Sequence, residues 1–356
     1  MSKLVAPKAN YHAKIAFHNS ILRDKASENF PKVCDGYFSQ IQISKLPRTV
    51  LSYTRSLKIF FNYLISEVEM FRGKSISDLE SSDFQQINTL ILTDFMGYLK
   101  NYEFNGVIRM NSVRSIRNKM AAVNSFMSYL YRNDFILANP MNKVELPHTE
   151  KKVMPYLDSD EITRLLDIVS TGEGLTKGQL ATYKKRRLRD IALFTLLLST
   201  GLRVSECVGI NLSDIDFRAK TIVVLRKGNS QTYVHFSSIV ADALSDYIAN
   251  GRKWFEPVES DSDALFLSLK HTRLGVRAVE KLVKNYGLLI HSNKVVSPHR
   301  LRASYATDIF RKTHDVKLLK DLLNHSSYLN LDVYIHQDEE YLKSVQENYQ
   351  PGKSNG

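Results

Sequence analysis

The stretch from Leu146 to Pro155 does most to decide how this chain can fold. It holds Pro147 and Pro155 with Lys151-Lys152 between them, and it follows a helical apolar pattern that stops at Asn139-Pro140. Proline lacks the backbone donor and biases the residue before it away from the helical region, so the stretch reads as an exposed basic linker. Directly after it, Asp158-Ser159-Asp160-Glu161 supplies an N-cap oxygen and first-turn acids for a new helix. Two domains are therefore expected, residues 1–148 and 157–356, joined by a linker at 149–156.

The first half reads as helices. After Pro47, the segment Val50 to Ser66 places Val50, Leu51, Leu57, Phe60, Phe61 and Leu64 at mostly helical spacing. Thr93-Asp94 reads as a helix start, with Phe95, Met96 and Leu99 as the apolar side. Asn111 to Arg132 carries one stripe, Val113, Ile116, Met120, Val123, Phe126, Met127 and Leu130, with Arg114, Arg117 and Lys119 on its other face. The second half is mixed. Leu188 to Ser199 is an apolar helix; Thr221 to Leu225 and Gln231 to Phe236 are β-rich strands around a Gly228-Asn229 turn; more helices follow. The expected class is mainly α: a helical first domain and a mostly helical second domain with a small antiparallel β-sheet. Residues 1–30 take no assignment.

Net charge is +12, and it is shared evenly. Residues 1–150 hold 19 basic and 13 acidic side chains and residues 151–356 hold 30 and 24, so each part carries +6. A basic excess in both halves suits a protein that grips a polyanion with both. Cys34 and Cys207 lie far apart and match no metal spacing, which fits structural thiols in a reducing compartment. No apolar run approaches the roughly 18 residues that span a bilayer; the longest, Ile191 to Leu198, ends in Ser-Thr-Gly. The N-terminal MSKLVAPKANYHAK lacks the apolar centre of a signal peptide. A cytoplasmic, nucleoid-associated protein without a membrane segment is expected.

Five segments of the second half carry the chemistry-bearing side chains. They are Ser199-Thr-Gly-Leu-Arg-Val-Ser-Glu206, Arg226-Lys-Gly-Asn-Ser230, Ser297-Pro-His-Arg-Leu-Arg-Ala-Ser-Tyr-Ala-Thr307, Leu322-Leu-Asn-His-Ser-Ser327 and Tyr334-Ile-His336. Each is ordinary alone. Arg203 and Glu206 could be a local helix pair, Lys227 a solvated turn, His299 a helix cap, His325 a buried histidine and Tyr334 a core tyrosine. Together, in this order and spacing, they resemble the tyrosine recombinase (phage integrase) family, across the whole second half and more loosely in the domain layout of the first.

The resemblance implies a core-type, SAM-like DNA-binding first domain and a catalytic second domain ending in a helix exchanged between protomers, at Asp338 to Tyr349. It implies catalytic roles for Arg203, Lys227, His299, Arg302, His325 and the nucleophile Tyr334, with Glu206 supporting the site from behind. Tyr334 lies nine residues after His325, in a Tyr-x-His context that Tyr341 and Tyr349 lack. Two positions depart from the family pattern: Ala303 follows Arg302 where a histidine is usual, and Asn324 precedes His325 where a glycine is usual. Neither replaces a catalytic group.

The chemistry explains the residue types. A phosphodiester gathers charge on its non-bridging oxygens in the transition state, and rigid guanidiniums that stay protonated suit those oxygens. A phenol of pKa about 10 makes a phosphoester that a DNA hydroxyl can displace, so the joint can be resealed. A lysine at a hairpin turn can protonate the departing 5′-oxygen. The implied site needs no metal or nucleotide cofactor.

The implied partner is double-stranded DNA with a specific inverted-repeat site, bound by a homotetramer across two sites, with room for a partner protein such as a DNA translocase. Candidate DNA contacts are Arg48, Thr49, Tyr53, Arg55, Arg114, Arg117 and Lys119 in the first domain. In the second they are Lys184, Lys185, Arg186, Arg187 and Arg189, then His271, Arg273 and Arg277 ahead of Val279 to Tyr286, where the family docks a major-groove helix. Lys151 and Lys152 would let the domains close on the duplex. Within the family the chain is Xer-like, which points to chromosome dimer resolution; a phage or mobile-element integrase is the near rival. A non-catalytic DNA-binding protein and a type IB topoisomerase are the alternatives from other classes.

Overall fold

The computed structural model describes residues 11–104, 106–149, 155–226, 230–290 and 292–323. Lys151, Lys152, Lys227, His325, Tyr334 and the segment from Asp338 to Tyr349 lie outside the described residues. The chain divides into two compact units between residues 151 and 152.

The first unit contains α1 (Tyr11–Ala26), α2 (Val33–Ser44), α3 (Pro47–Glu67), α4 (Ser81–Gln85), α5 (Thr89–Tyr98), the strands β1 (Asn101–Phe104) and β2 (Val107–Met110), and α6 (Val113–Arg132). Helix α3 is central, packed by α1, α2 and α6. Pro47 starts it at a position where the missing N–H costs nothing. Its stripe is buried as the spacing requires, from Val50 through Leu64. Phe61 sits among Phe30, Phe84 and Phe126 with ring centroids 5.2–6.0 Å apart. Gly36 is needed where α2 meets α6, because a Cβ there would lie 2.3 Å from the Tyr129 hydroxyl.

Four details differ from the expectation. Residues 11–26 are helical. Helix α5 starts before Thr93, because the Asn88 side chain caps it by accepting from the Ile91 N–H at 3.0 Å; Thr93 and Asp94 are exposed mid-helix residues. Val113 opens α6 and is 40% exposed, so the buried stripe begins at Ile116. The antiparallel pair β1–β2 was not anticipated. Asn105-Gly106, a strong hairpin-turn dipeptide, was its available signal.

The second unit contains α7 (Ser159–Thr171), α8 (Lys177–Thr200), α9 (Val204–Gly209), β3 (Ile215–Asp216), β4 (Thr221–Leu225), β5 (Gln231–His235), α10 (Ser238–Asp246), α11 (Val276–Gly287), α12 (Pro298–Thr313) and α13 (Val316–Leu323). The strands form one antiparallel sheet in the order β3-β4-β5. Helix α8 is the axis, packed by α7, α10 and α12. It begins well before Leu188, because Thr176 and Gln179 cap it reciprocally at 2.8 and 3.3 Å. The basic run 184–189 is therefore helical, not a loop, and a helix sends its members to different faces.

Both cysteines are buried. Burial pushes both thiols up, with nearby Asp35 and Glu206 adding to the effect at Cys34 and Cys207 respectively, so neither is a poised nucleophile. Among the described residues no helix is long and apolar enough to cross a membrane.

Candidate active site

The site forms where four ends of structure meet in the second unit. Helix α8 ends at Gly201, which holds φ +60°. A Cβ there would lie 2.4 Å from the Tyr305 ring, so the glycine of the Thr-Gly-Leu-Arg segment is required both by backbone and by space. The turn it permits delivers Arg203 to the start of α9. Glu206, one turn on, accepts from the Arg203 N–H at 2.9 Å and from its guanidinium Nη1 at 2.8 Å. Glu206 thus caps α9 and orients Arg203 at once.

Arg302 comes from α12 and is 4% exposed. Its Nη1 donates to the Gly201 carbonyl and its Nη2 to the Leu323 carbonyl at 2.7 Å. It ties the C-cap of α8 to the Leu323 carbonyl of α13. Ala303 is fully buried in the small core of α12 and α13, with Ala306, Phe310, Leu319 and Leu323. The departure from the family's usual histidine therefore fills a packing position. His299 is exposed on the first turn of α12, three residues before Arg302 and so on the same side of that helix.

A residue that the sequence reading passed over completes the cluster. Arg226 follows β4, and its side chain is 3% exposed. Its Nη1 reaches the Glu206 carboxylate at 3.4 and 3.5 Å and the Leu323 carbonyl at 3.5 Å. Burial pulls its pKa down, Glu206 pulls it up, and Arg203 pulls it down again. The signal was present: Ile222 and Val224 face the core, and a strand's two-residue period puts Arg226 on that face.

Two guanidiniums, Arg203 and Arg226, thus meet on the Glu206 carboxylate, and Arg226 and Arg302 meet on the Leu323 carbonyl. Such a cluster is suited to an anion with several oxygens. Lys227 and His325 follow Arg226 and Leu323 closely in sequence, so the described cluster borders two of the three candidate catalytic residues that lie outside the described region.

The sequence pattern of the phage integrase family, described as "Phage integrase family", matches residues 155–341, more than half of the chain. The chain belongs to the phage integrase family. Curated relatives carry the name tyrosine recombinase XerC. That of Oceanobacillus iheyensis is 31% identical over 313 residues, 86% of this chain and 92% of the relative. That of Bacillus subtilis is 28% identical over 325 residues, 91% and 97% respectively. Family and relatives together make this a Xer-like tyrosine recombinase, an enzyme of site-specific DNA recombination. Solved structures share the fold. XerH recombinase bound to palindromic difH substrate, in a post-cleavage complex, has a TM-score of 0.65 at 18% identity, covering 98% of each chain. The Tn1549 transposon integrase in complex with circular intermediate DNA has a TM-score of 0.64 at 19% identity, covering 89% of this chain and all of the other.

The candidate DNA contacts of this phage integrase family member divide by geometry. Arg48 and Arg55 on α3, Arg114 on α6, Lys184, Lys185 and Arg187 on α8, and Arg277 on α11 are exposed. Thr49 and Tyr53 are half-buried, with Lys45 Nζ 5.3 Å from the Tyr53 ring centre. Others are engaged internally. Arg117 donates to the Pro147 carbonyl at 2.9 Å. Lys119 donates to Asn111 and Ser115, both at 2.9 Å, and burial pulls its pKa down. Arg186 pairs with buried Asp190 at 3.0 Å, Arg189 with the same carboxylate at 2.7 Å, and the Tyr286 hydroxyl donates to it at 3.2 Å. Arg273 donates to the Val208 and Ile210 carbonyls at 3.0 and 2.9 Å. His271 Nδ1 lies 2.6 Å from the Phe255 carbonyl oxygen. Counting charges along the chain could not separate these classes, because Arg117 and Arg273 are turned inward by carbonyls 30 to 65 residues away and Arg186 and Arg189 by the face of the helix on which Asp190 lies. Among the described residues no group of three or more histidines, cysteines and acids could hold a metal ion.

Proposed function

We propose that this recombinase cuts and rejoins double-stranded DNA through a 3′-phosphotyrosyl link to Tyr334. The observation that carries the reading is the chain of guanidiniums in which Arg226 shares Glu206 with Arg203 and the Leu323 carbonyl with Arg302. The two guanidiniums hold the non-bridging oxygens of the scissile phosphate and stabilise the charge that grows there. The Tyr334 oxygen forms a bond to phosphorus as the bond to the 5′-oxygen breaks. Lys227 supplies the proton to that leaving oxygen, and His299 and His325 hydrogen-bond the phosphate or accept the phenol proton. Attack by a 5′-hydroxyl from the partner duplex reverses the step and releases the tyrosine.

One tyrosine cuts one strand, so exchange between two duplexes takes four protomers on two inverted-repeat sites, passing through a four-way junction. The segment from Asp338 to Tyr349 is the proposed contact passed head-to-tail around that ring. Its deletion, residues 338–356, is expected to leave single-site binding and abolish two-site synapsis; surviving synapsis would remove the segment from this role. Chromosome dimer resolution is the biological role in line with the XerC relatives, with a cytoplasmic setting and a DNA translocase as helper proposed alongside it.

The test is a nicked suicide site. Wild type is expected to give a protease-sensitive 3′-linked adduct, in the presence of EDTA as well, while Tyr334→Phe binds the site and gives none. An adduct with Tyr334→Phe would move the nucleophile to another tyrosine. Sequencing DNA trapped on the wild-type protein in cells then separates a single chromosomal site from the ends of a mobile element.

A further inference from the structure

Glu206 has two guanidinium partners of opposite character. Arg203 donates at 2.8 Å with a side chain 42% exposed; Arg226 reaches it at 3.4 Å with a side chain 3% exposed. Among the described residues the side-chain bonds of Arg226 are long, its third contact being the Leu323 carbonyl at 3.5 Å, and its buried Nε–H has no acceptor. Dehydrating a guanidinium for contacts at the edge of hydrogen-bonding range, with one donor unmet, is a poor way to stabilise a fold. An apolar residue would continue the Ile222 and Val224 face at lower cost. The position is instead held by a charge, beside a carboxylate that already has a close partner.

We infer that Arg226 is a positioning residue, which holds Glu206 from the buried side so that Arg203 can leave that carboxylate for a phosphate oxygen. The inference rests on the reading of Arg203 as a phosphate ligand. Glu206 is itself 5% exposed. With Arg203 as its sole guanidinium partner, drawing Arg203 onto DNA would strand a buried charge, a costly state. With Arg226 behind it, Glu206 stays paired while Arg203 moves. The Arg226 N–H also donates to the Ser230 carbonyl at 2.8 Å. The side chain that braces Glu206 therefore belongs to a residue that continues the β4–β5 pairing and directly precedes Lys227 in sequence.

Two readouts test this. The first is the reactivity of Arg203 toward phenylglyoxal in DNA-free protein, mapped by mass spectrometry. Arg226→Met should slow it at least about threefold, because Glu206 then draws Arg203 in, and adding Glu206→Gln should restore it. The second is single-turnover cleavage of the suicide site. Arg226→Met should slow cleavage roughly 10- to 100-fold with affinity within about threefold, and the double variant should recover most of that loss. A purely structural role for Arg226 predicts no recovery when a second buried group is changed. Arg226→Lys, which keeps the charge, should stay near wild type in both readouts and serves if the methionine variant melts early. Wild-type reactivity in Arg226→Met, or a double variant no better than the single one, overturns the inference. A wild type that forms no adduct would instead count against the recombinase reading, and the reactivity arm would still decide how Glu206 is shared.

Discussion

The two units solve the problem of a core in different ways. The first packs aromatic rings around α3, and its one buried charge among the described residues, Asp83, is matched by Lys74 at 2.6 Å. The second buries Arg189, Asp190, Glu206, Arg226 and Arg302. Around Asp190 the charges are closed, since two arginines and a tyrosine hydroxyl all converge on one carboxylate. Around Glu206 they are left open, because Arg203 keeps a side chain 42% exposed, against 12% and 5% for the two arginines on Asp190. Burying charge costs free energy in both places. Only the open cluster has a use for an outside anion, and that separates a structural ion network from a site.

Removing the proposed general acid, next in sequence to Arg226, should have the largest effect. Lys227→Ala is expected to slow cleavage by on the order of 100- to 10,000-fold, the range for loss of a general acid. A 5′-bridging phosphorothiolate, whose sulfur leaves without a proton, should restore the rate. Failure of that rescue would assign the proton to another group. In the aromatic unit the expected damage is to stability instead. Phe61→Ala should cost about 3–5 kcal/mol in a urea melt of the first unit's transition, with the cleavage step unchanged under conditions where the protein remains folded. A cleavage defect there would break the division of labour between the units.

The closed cluster and the surface beside it give a finer contrast. Arg186→Ala removes one partner of a fully buried carboxylate that retains Arg189, and is expected to destabilise by about 1–3 kcal/mol. Arg187→Ala, next in sequence but exposed, should stay within about 0.5 kcal/mol. On DNA the order reverses: Arg187→Ala is expected to lower the salt slope of binding by about one, and Arg186→Ala to leave it unchanged in folded protein. Equal slopes would show that burial is no guide to phosphate contact.

The smallest effect is a pH dependence at the start of α7. Partial burial pushes the Glu161 carboxyl up, but Lys294 at 2.6 Å, the Ser292 hydroxyl at 2.6 Å and the Asp158 N–H at 3.0 Å bring it down to about 2. A carboxyl held below its unfolded value stabilises fully above that value and loses the contribution as pH falls through the folded one. The stability gap between wild type and Glu161→Gln should therefore be constant near neutrality and close between about pH 4.5 and 2. A gap independent of pH would show that packing, not charge, holds this corner.

Much of this contrast was legible in the sequence, and the illegible part has a physical cause. Residues spaced by local geometry announced themselves: the stripe on α3, the cap at Asp158, the alternation of β4, and Gly201 ahead of Arg203. The partners of buried charge did not. Arg302 is held by carbonyls 101 and 21 residues away, and a carbonyl has no sequence signature. Arg226 was visible by strand period, but its partner Glu206 lies 20 residues away in another element. The basic run on α8 is uniform in composition, whereas helical geometry divides it between surface and core.

The central claim is that the guanidiniums beside Glu206 act on the phosphate in the transition state more than they hold the DNA. The most direct measurement is single-turnover cleavage and equilibrium binding of the same suicide site by Arg203→Ala. The account predicts a cleavage rate lower by on the order of 100- to 1000-fold, with affinity within a few fold of wild type. Affinity and cleavage falling together by the same factor would contradict it and make Arg203 an ordinary DNA contact.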